Sequence, residues 1–330
     1  MKRFTIFITF LMLTIIQMAA QDTSCKGTIT LSHQGKETDF AYNEMTKVID
    51  AAVDGDTVYF STGYFQGDFI MNKKLSLIGS GADMNSNYTY YDGNIVIKLA
   101  EDTQLTSRLF DGIYFTRGLT FNSAIDKVII RKCWLGNKMN YNAEIKSLLI
   151  DRCYCDLQTS TSNLKKLVAR NSYVYGTPYD TSDPSTRQFY NCNIQENGRW
   201  EYSNDNYGYA KLYGTFYNCI FNINSCISSP KDSGTYTIMI NCLYSKGENV
   251  DKGCSLQNCY ADESGKSTFN FTKKELQENG YLGTDGTVVG YYGGKNPYTL
   301  SPGNWNITNN FHLDKDNKKI KFNLNITEQQ

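Results

Sequence analysis

Charged side chains recur in the middle of the sequence at intervals that could bring them together in the fold. Acidic and basic members alternate at intervals of 20, 20 and 19 residues, in the order Asp111, Arg131, Asp151 and Arg170. Glycoside hydrolysis needs two carboxyl groups at a set separation, and a polysaccharide lyase can use Arg or Lys as its base with Ca²⁺ bridging carboxylates. The candidate catalytic set is therefore Asp151, Arg152, Arg131 and Lys132. An arginine between two carboxylates holds both ionised, however, which does not suit a general acid.

An aromatic series runs beside the charged one with the same spacing. Its members are Tyr114, Trp134, Tyr154 and Tyr173. Lying above one another, they would form a strip on the outer surface on which the rings of a glycan could stack, with nearby arginines and lysines contacting acidic sugars. A purely structural interpretation stays open. Cross-strand aromatic pairs stabilise a sheet by roughly 0.2–1 kcal/mol each, and a ladder of exposed ion pairs contributes about 0–1 kcal/mol per pair.

Both series belong to one six-residue phrase that the sequence repeats eight times. The phrase is an apolar residue, a variable one, Asn or a substitute, Cys or a small apolar residue, a variable one and an apolar one. The copies are FDGIYF (Phe110–Phe115), IRKCWL (Ile130–Leu135), IDRCYC (Ile150–Cys155), ARNSYV (Ala169–Val174), FYNCNI (Phe189–Ile194), FYNCIF (Phe216–Phe221), MINCLY (Met239–Tyr244) and LQNCYA (Leu256–Ala261).

The period of this phrase decides the predicted architecture. The fourth positions of successive copies are separated by 20, 20, 19, 20, 27, 23 and 17 residues. Such a period is typical of a solenoid, in which each repeat buries its apolar side against its neighbours. Apolar and polar residues alternate with period two around the phrase, as in strands, and no twelve-residue helical pattern fits between copies. The predicted fold is all-β, a right-handed parallel β-helix.

The third position of the phrase is expected to have a positive φ angle. It is occupied by Gly112, Lys132, Arg152, Asn171, Asn191, Asn218, Asn241 and Asn258. Two inward apolar positions flank a two-residue bend there, and Gly and Asn tolerate positive φ best. Lys132 and Arg152 depart from that rule.

The fourth position is expected to hold buried free thiols rather than disulfides. It contains Cys133, Cys153, Cys192, Cys219, Cys242 and Cys259, six of the ten cysteines. Neighbouring coils are about 4.8 Å apart, whereas a disulfide needs its Cβ atoms about 3.8 Å apart. A zinc site is not expected, because the sequence has no CxxC pair and His33 and His312 lie far from the six cysteines of the repeated phrase.

The first twenty residues predict export from the cell. Met1–Ala20 begins with Lys2 and Arg3, continues with an apolar run from Phe4 to Ile16 and ends on small residues. This arrangement is typical of a signal peptide, cleaved near Ala20, so the protein is predicted to be secreted, periplasmic or on the cell surface. The run is too short to span a bilayer comfortably, and no membrane span is expected elsewhere.

The two ends of the solenoid, residues 21–264, are expected to be capped. Ala41–Val53 is predicted as an amphipathic helix that covers the apolar N-terminal end, where unpaired strand edges would favour aggregation. Residues 265–330 are predicted as a C-terminal cap or small β module. Its expected parts are a helix at Thr272–Asn279, a glycine-rich junction at Gly283–Gly294, and a hairpin of Ile307–Leu313 and Lys319–Thr327 that turns at Asp316-Asn317.

Two features resemble the pectin-lyase-like right-handed parallel β-helix proteins that bacteria secrete. One is the repeated N-C-x-F wording, as in Asn218-Cys219-Ile220-Phe221. The other is the opening, in which a helix precedes GDTVYF (Gly55–Phe60) and LSLIGSG (Leu75–Gly81). The resemblance covers about Phe40 to Ala261. It implies the fold rather than an activity, because this fold hosts lyases, hydrolases, adhesins and inert scaffolds.

The catalytic motifs of that family are missing. The polygalacturonase-like motifs Asn-Thr-Asp, Asp-Asp, Gly-His-Gly and Arg-Ile-Lys do not occur, and only Pro184 and Arg187 remain of the pectate-lyase motif Arg-x-Pro-x-x-Arg. The sequence therefore favours a non-catalytic protein that binds polysaccharide or a cell surface through the aromatic strip, with a polysaccharide lyase or glycoside hydrolase as the alternative. No cofactor is expected, and Ca²⁺ enters only under the lyase alternative.

The remaining options concern partners. The net charge is zero and the pI is about 6.7, so nothing favours nucleic acid as a partner. A third possibility is a scaffold or adhesin whose insert, Gly198–Lys211 with Trp200, Tyr202, Tyr207 and Tyr209, contacts another protein.

Overall fold

The computed structural model describes residues 25–84, 88–99, 107–157, 163–175, 183–195, 201–202, 208–209, 214–222, 237–245, 254–264, 267–299, 305–314 and 319–328. The predicted signal peptide lies outside this part of the chain. For the strands at 201–202, 208–209, 305–314 and 319–328 only the backbone is considered.

Three sheets run along the axis of a solenoid, each formed by stacking equivalent strands of successive coils. Sheet 1 has twelve strands in spatial order, Lys36–Ala41, Thr28–His33, Thr57–Phe60, Ser76–Ile78, Ser107–Asp111, Ile125–Arg131, Ile145–Asp151, Leu167–Arg170, Arg187–Tyr190, Gly214–Tyr217, Thr237–Ile240 and Cys254–Gln257. Sheet 2 has ten, Gly63–Gln66, Thr89–Asp92, Tyr114–Phe115, Trp134–Leu135, Tyr154–Asp156, Tyr173–Tyr175, Asn193–Gln195, Ile220–Asn222, Leu243–Ser245 and Tyr260–Asp262. Sheet 3 has four, Phe69–Met71, Ile95–Ile97, Leu119–Phe121 and Asn140–Tyr141.

Strand pairing confirms the predicted parallel β-helix. From Thr57–Phe60 onward the neighbours in all three sheets are parallel, and residues about twenty apart lie side by side, as in the pairs of Trp134 with Tyr114 and with Tyr154. The right-handed sense and the two end caps stay predictions.

Every described third position of the phrase has a positive φ angle, as expected. The values are 66° for Gly112, 51° for Lys132 and 54° for Arg152, and the five asparagines fall between 45° and 55°. Lys132 and Arg152 adopt the left-handed bend even though an ordinary L residue pays about 1–2 kcal/mol for it. The bend is therefore imposed by the sheets on either side, which fix where the chain must turn.

The fourth position lines the interior, and the described cysteines are free thiols. Cys133, Cys153, Cys192, Cys219 and Cys242 are fully buried, and Cys259 in the last coil is partly buried. Burial raises the pKa of Cys153 to about 12, so this thiol stays protonated and unreactive at neutral pH.

Two arginines occupy inward positions that the repeat pattern assigns to apolar residues. Arg108 and Arg187 are each only 2% exposed. Arg187 donates from Nη1 to the carbonyl of Lys165 at 2.9 Å and from Nη2 to that of Leu164 at 2.5 Å. These bonds offset part of the cost of burying the charge.

The N-terminal helix is shorter than predicted and is preceded by an unpredicted hairpin. The helix spans Met45–Ala51, because residues up to Ala41 belong to the antiparallel pair Thr28–His33 and Lys36–Ala41. Its buried residues, Met45, Val48 and Ile49, join the main core. The ammonium of Lys73 donates to carbonyls at the end of the helix, where a cation is favourable.

The C-terminal part forms the predicted local elements. A helix spans Lys273–Glu278 and begins with a capping box between Thr272 and Glu275. Strands Trp305–Asp314 and Lys319–Glu328 pair antiparallel. The predicted turn at Asp316-Asn317 lies outside the described residues.

Candidate functional site

The four predicted aromatic residues belong to a longer stack, the aromatic ladder, on the outer face of sheet 2. The ladder consists of Tyr64, Tyr90, Tyr114, Trp134, Tyr154 and Tyr173. Successive ring centroids are 5.5, 5.2, 5.2, 4.2 and 4.8 Å apart, and neighbouring ring planes differ by only 11–31°. The rings therefore lie nearly parallel, one above the other, along the solenoid axis.

This packing corrects the expected manner of contact with a ligand. Each ring from Tyr90 to Tyr154 has a neighbouring ring against both of its faces, so a sugar ring cannot stack there. All six side chains are nevertheless partly exposed. The ladder thus presents ring edges, which carry the positive part of the ring quadrupole, and a row of phenol hydroxyls that both donate and accept hydrogen bonds. Burial raises the pKa of Tyr173 to about 12 and that of Tyr90, Tyr114 and Tyr154 above the ordinary value.

Sequence reasoning missed Tyr64 and Tyr90. The six-residue phrase begins at Phe110. The coils before it are longer than twenty residues, since Tyr64, Tyr90 and Tyr114 are separated by 26 and 24 residues. A second signal was available. In each of these coils the tyrosine directly precedes a buried aromatic residue, as in Tyr64-Phe65 and Tyr90-Tyr91.

The structure brings the four candidate catalytic residues together but pairs their charges. Arg131 donates to Asp111 from Nε at 2.9 Å and also from Nη2. Arg152 donates to Asp151 Oδ2 from Nε at 3.1 Å and from Nη2 at 3.0 Å. Lys132 lies beside them at the bend between sheets 1 and 2. Both carboxylates are thus engaged by guanidinium groups, Asp111 by that of the next coil and Asp151 by that of its own neighbour in the chain.

The C-terminal part of the chain packs along the same side of the solenoid. We call residues 267–299 the C-terminal segment. Its apolar side chains form a second core with Ile220 and Leu243, which occupy the ladder position in later coils and are 1% and 0% exposed. Phe269 meets Tyr173 edge-on with ring centroids 5.4 Å apart. The segment therefore covers the later part of the column that the ladder occupies in earlier coils.

Asparagines at and beside the bend hold this segment. Asn218 accepts from the backbone N–H of Thr284 at 3.0 Å, and Asn193 accepts from that of Tyr291 at 3.0 Å. Asn171 donates to the carbonyl of Gly293 at 2.7 Å. The contacts run from later coils toward earlier ones, so the segment returns along the side of the solenoid.

The predicted insert Gly198–Lys211 is described only in part. Strands Glu201–Tyr202 and Gly208–Tyr209 pair antiparallel within it. Trp200 and Tyr207 lie outside the described residues.

A metal site and a membrane-spanning helix are not found among the described residues. No group of three or more His, Cys, Asp or Glu side chains there is arranged to hold a metal ion. No helix in that part of the chain is long and apolar enough to cross a bilayer. No protein-family model matches this sequence, and a search of curated proteins finds no match.

Proposed function

We propose that this chain is a secreted, non-catalytic β-helix protein that binds a polysaccharide or a glycan-bearing surface along the aromatic ladder. The observation that carries the proposal is the ladder itself, six stacked and partly exposed rings in consecutive coils. A linear polymer with a similar repeat can lie along the axis and meet a ring edge at each coil, with a phenol hydroxyl at every ladder position except Trp134, whose indole N–H only donates. Aromatic residues of this kind are enriched at binding surfaces because one end is apolar and the other polar.

The charges beside the ladder also support binding rather than cleavage. A hydrolase needs a carboxyl group that is free to donate a proton to the glycosidic oxygen, whereas Asp111 and Asp151 each accept two hydrogen bonds from a guanidinium group. Because Arg131 and Arg152 are neutralised by these partners, the proposed ligand does not need to be acidic.

Membership of the pectin-lyase-like family is part of the proposal. It is supported by the N-C-x-F phrase, by the GDTVYF opening in strand Thr57–Phe60, and by the parallel stacking of coils. Export is proposed from the signal-like residues 1–20. Mass spectrometry of the protein recovered from outside the cell tests it, with a mature N-terminus at Gln21 as the expected result.

The test of binding is a double substitution in the middle of the ladder. Trp134→Ala with Tyr154→Ala removes the closest ring pair, whose centroids are 4.2 Å apart, and should abolish binding on a broad glycan array. The matched control is Tyr190→Ala with Tyr217→Ala, a stacked pair 4.8 Å apart on sheet 1, which should bind as the wild type does. Unchanged binding by the ladder variant would sink the proposal.

A polysaccharide lyase or glycoside hydrolase remains the alternative, since the register does cluster Asp151, Arg152, Arg131 and Lys132. Incubation with uronate-rich polymers, with and without Ca²⁺, tests it. New reducing ends or unsaturated products that disappear in Asp151→Asn would establish this activity. The absence of any product across a broad panel of polymers would rule this alternative out.

A further inference from the structure

A polar recess lies at the N-terminal end of the aromatic ladder. It has a volume of about 450 Å³ and is lined by Asn43, Gln66, Gly67, Asp68, Asp92 and Arg117. Most of these residues lie at or just after the ends of three successive strands of sheet 2, Gly63–Gln66, Thr89–Asp92 and Tyr114–Phe115. The volume falls in the ~300–1,000 Å³ range of small-molecule sites.

The donor side of the recess is a guanidinium group held in one orientation. Arg117 donates from Nε to Asp92 Oδ1 at 2.8 Å, and the same carboxylate accepts from Thr116 Oγ1 at 3.0 Å and weakly from the Tyr64 hydroxyl at 3.4 Å. Within the described part of the chain, neither Nη group of Arg117 makes a further hydrogen bond, and the side chain is 54% exposed. The bond from Nε to Asp92 therefore fixes the guanidinium group, and its two Nη atoms keep four N–H donors for a ligand in the recess.

The acceptor side is a carboxylate that is also fixed. Asp68 accepts from the backbone N–H of Asn94 at 2.7 Å and from its Nδ2 at 3.1 Å. These bonds hold the pKa of Asp68 below its ordinary value, and the bond from Arg117 does the same for the pKa of Asp92. Both groups are therefore carboxylates at neutral pH. An ionised carboxylate has about four acceptor positions, so Asp68 keeps capacity for a ligand.

The mixture of charges selects the chemistry of the ligand. Arg117 repels a cation, and the two carboxylates repel an anion. A hydroxyl group fits both sides, because it donates to Asp68 through its hydrogen and accepts from an Nη group of Arg117 through its oxygen. Adjacent hydroxyls on one ring present two such groups at a fixed spacing.

We infer that the recess binds one neutral, hydroxyl-rich pyranose residue, and that it is the terminal subsite of the polysaccharide-binding surface. The inference rests on the proposed function and adds that the ligand is a neutral sugar rather than a uronate. Tyr64 links the two parts, since its ring is the first of the ladder and its hydroxyl reaches Asp92.

Saturation-transfer difference NMR on the full chain tests the recess separately from the ladder. The probes are D-glucose, D-galactose, D-mannose and D-xylose, with D-galacturonate as the charged comparison. Ca²⁺, which has no protons to observe, is titrated into the protein by isothermal titration calorimetry. At least one neutral sugar should give a signal, and Arg117→Gln and Asp68→Asn should each raise the Kd obtained by titrating that sugar about tenfold, which corresponds to about 1.4 kcal/mol. Lys146→Gln is the matched control, since it removes an exposed ion pair with Asp126 of 2.8 Å on sheet 1, and should change nothing.

The outcomes separate this inference from the proposed function. A sugar signal that depends on Arg117 and persists in the Trp134→Ala, Tyr154→Ala variant supports the recess, even if no polymer binds the ladder. The inference is overturned if no neutral sugar gives a signal, if the signal is the same in Arg117→Gln, or if only galacturonate or Ca²⁺ binds. The urea unfolding curve of each variant must match that of the wild type. If Arg117→Gln does not fold, the sugar signal of Asp68→Asn decides the question instead.

Discussion

The bend between sheets 1 and 2 has one backbone conformation but two kinds of surroundings. In the half of the solenoid that we call covered, Asn171, Asn191 and Asn218 are only 5–8% exposed, and the C-terminal segment packs over the bends and over the ladder position of later coils. In the open half, the same bend position holds Lys132 and Arg152, which are partly exposed, and the ladder position holds half-buried aromatic rings.

The comparison shows what the asparagines are for. Lys132 and Arg152 have φ angles of 51° and 54°, within a few degrees of Asn191 and Asn218 at 50° and 55°. The bend can therefore form without asparagine. A short amide that donates and accepts becomes useful where a buried bend must bond to a second piece of backbone, as Asn218 does to Thr284 and Asn171 to Gly293. The ladder position likewise holds apolar residues, Ile220 and Leu243, where the C-terminal segment covers it, and amphipathic aromatic residues where water reaches it.

The largest expected effect is at the apolar contact of the covered half. Leu243→Ala should lower the free energy of unfolding by about 2–5 kcal/mol, because the leucine is fully buried between sheet 2 and the segment. Urea unfolding measures the loss, and limited proteolysis should show earlier cleavage within residues 267–299. A loss under about 1 kcal/mol would mean that the segment does not bury this residue in solution.

The next effect separates the two halves at the bend. Asn218→Ala should cost about 1–3 kcal/mol, because it removes the buried amide that accepts from the backbone N–H of Thr284 and also the residue type that best tolerates the left-handed bend. Lys132→Ala is the comparison at the same φ and should cost under about 0.5 kcal/mol, since one L residue replaces another at a partly exposed bend. A loss in Asn218→Ala of only about 0.5–1 kcal/mol, which is what the preference of asparagine for the left-handed conformation alone accounts for, would show that the bend, and not the docked segment, sets the requirement.

The repeat allowed the coil, the register and the bends to be predicted, because each depends on residues about one coil apart. Trp134 pairs with Tyr114 and Tyr154 as the spacing requires. The covered half could not be predicted in this way. Its contacts join residues 66 apart, as Asn218 and Thr284, and 122 apart, as Asn171 and Gly293, and no periodic signal marks the second partner.

Two other misses have a similar cause. The hairpin of Thr28–His33 and Lys36–Ala41 pairs antiparallel before the repeat starts, so the repeat says nothing of it. Arg187 sits at an inward position because the carbonyls of Leu164 and Lys165 are there to accept its hydrogen bonds. That is a local arrangement of backbone, which the pattern of apolar residues does not encode.

Alkaline pH should weaken the solenoid through the last ring of the aromatic ladder, where the open half meets the covered half. Burial raises the pKa of Tyr173 to about 12, whereas the pKa of a tyrosine in the unfolded chain is about 10. The stabilisation from keeping this phenol neutral is present below about pH 10 and is lost as the pH rises toward the folded pKa, because the unfolded chain then binds fewer protons. The free energy of unfolding should therefore fall above about pH 10.

Tyr173→Phe isolates that contribution from other groups that titrate in the same range. The variant should lose less stability than the wild type between about pH 9 and pH 11, as measured by urea unfolding at each pH. Parallel curves for the two proteins would show that Tyr173 is solvated in solution and that the ladder does not shield its hydroxyl.

The smallest expected effect comes from placing the bend residue of the covered half, asparagine, at a bend of the open half. Lys132→Asn should raise the free energy of unfolding by about 0.5–1 kcal/mol, because asparagine adopts the left-handed conformation more readily than lysine. The charge interactions lost with a surface lysine contribute only about 0–1 kcal/mol in the opposite direction. The urea midpoint measures the change. A gain would mean that lysine is kept at this bend at a cost in stability, which fits a residue beside a ligand-binding ladder, and glycan binding by the variant should then weaken. A loss would instead show that the lysine side chain stabilises the coil by more than asparagine gains at the bend.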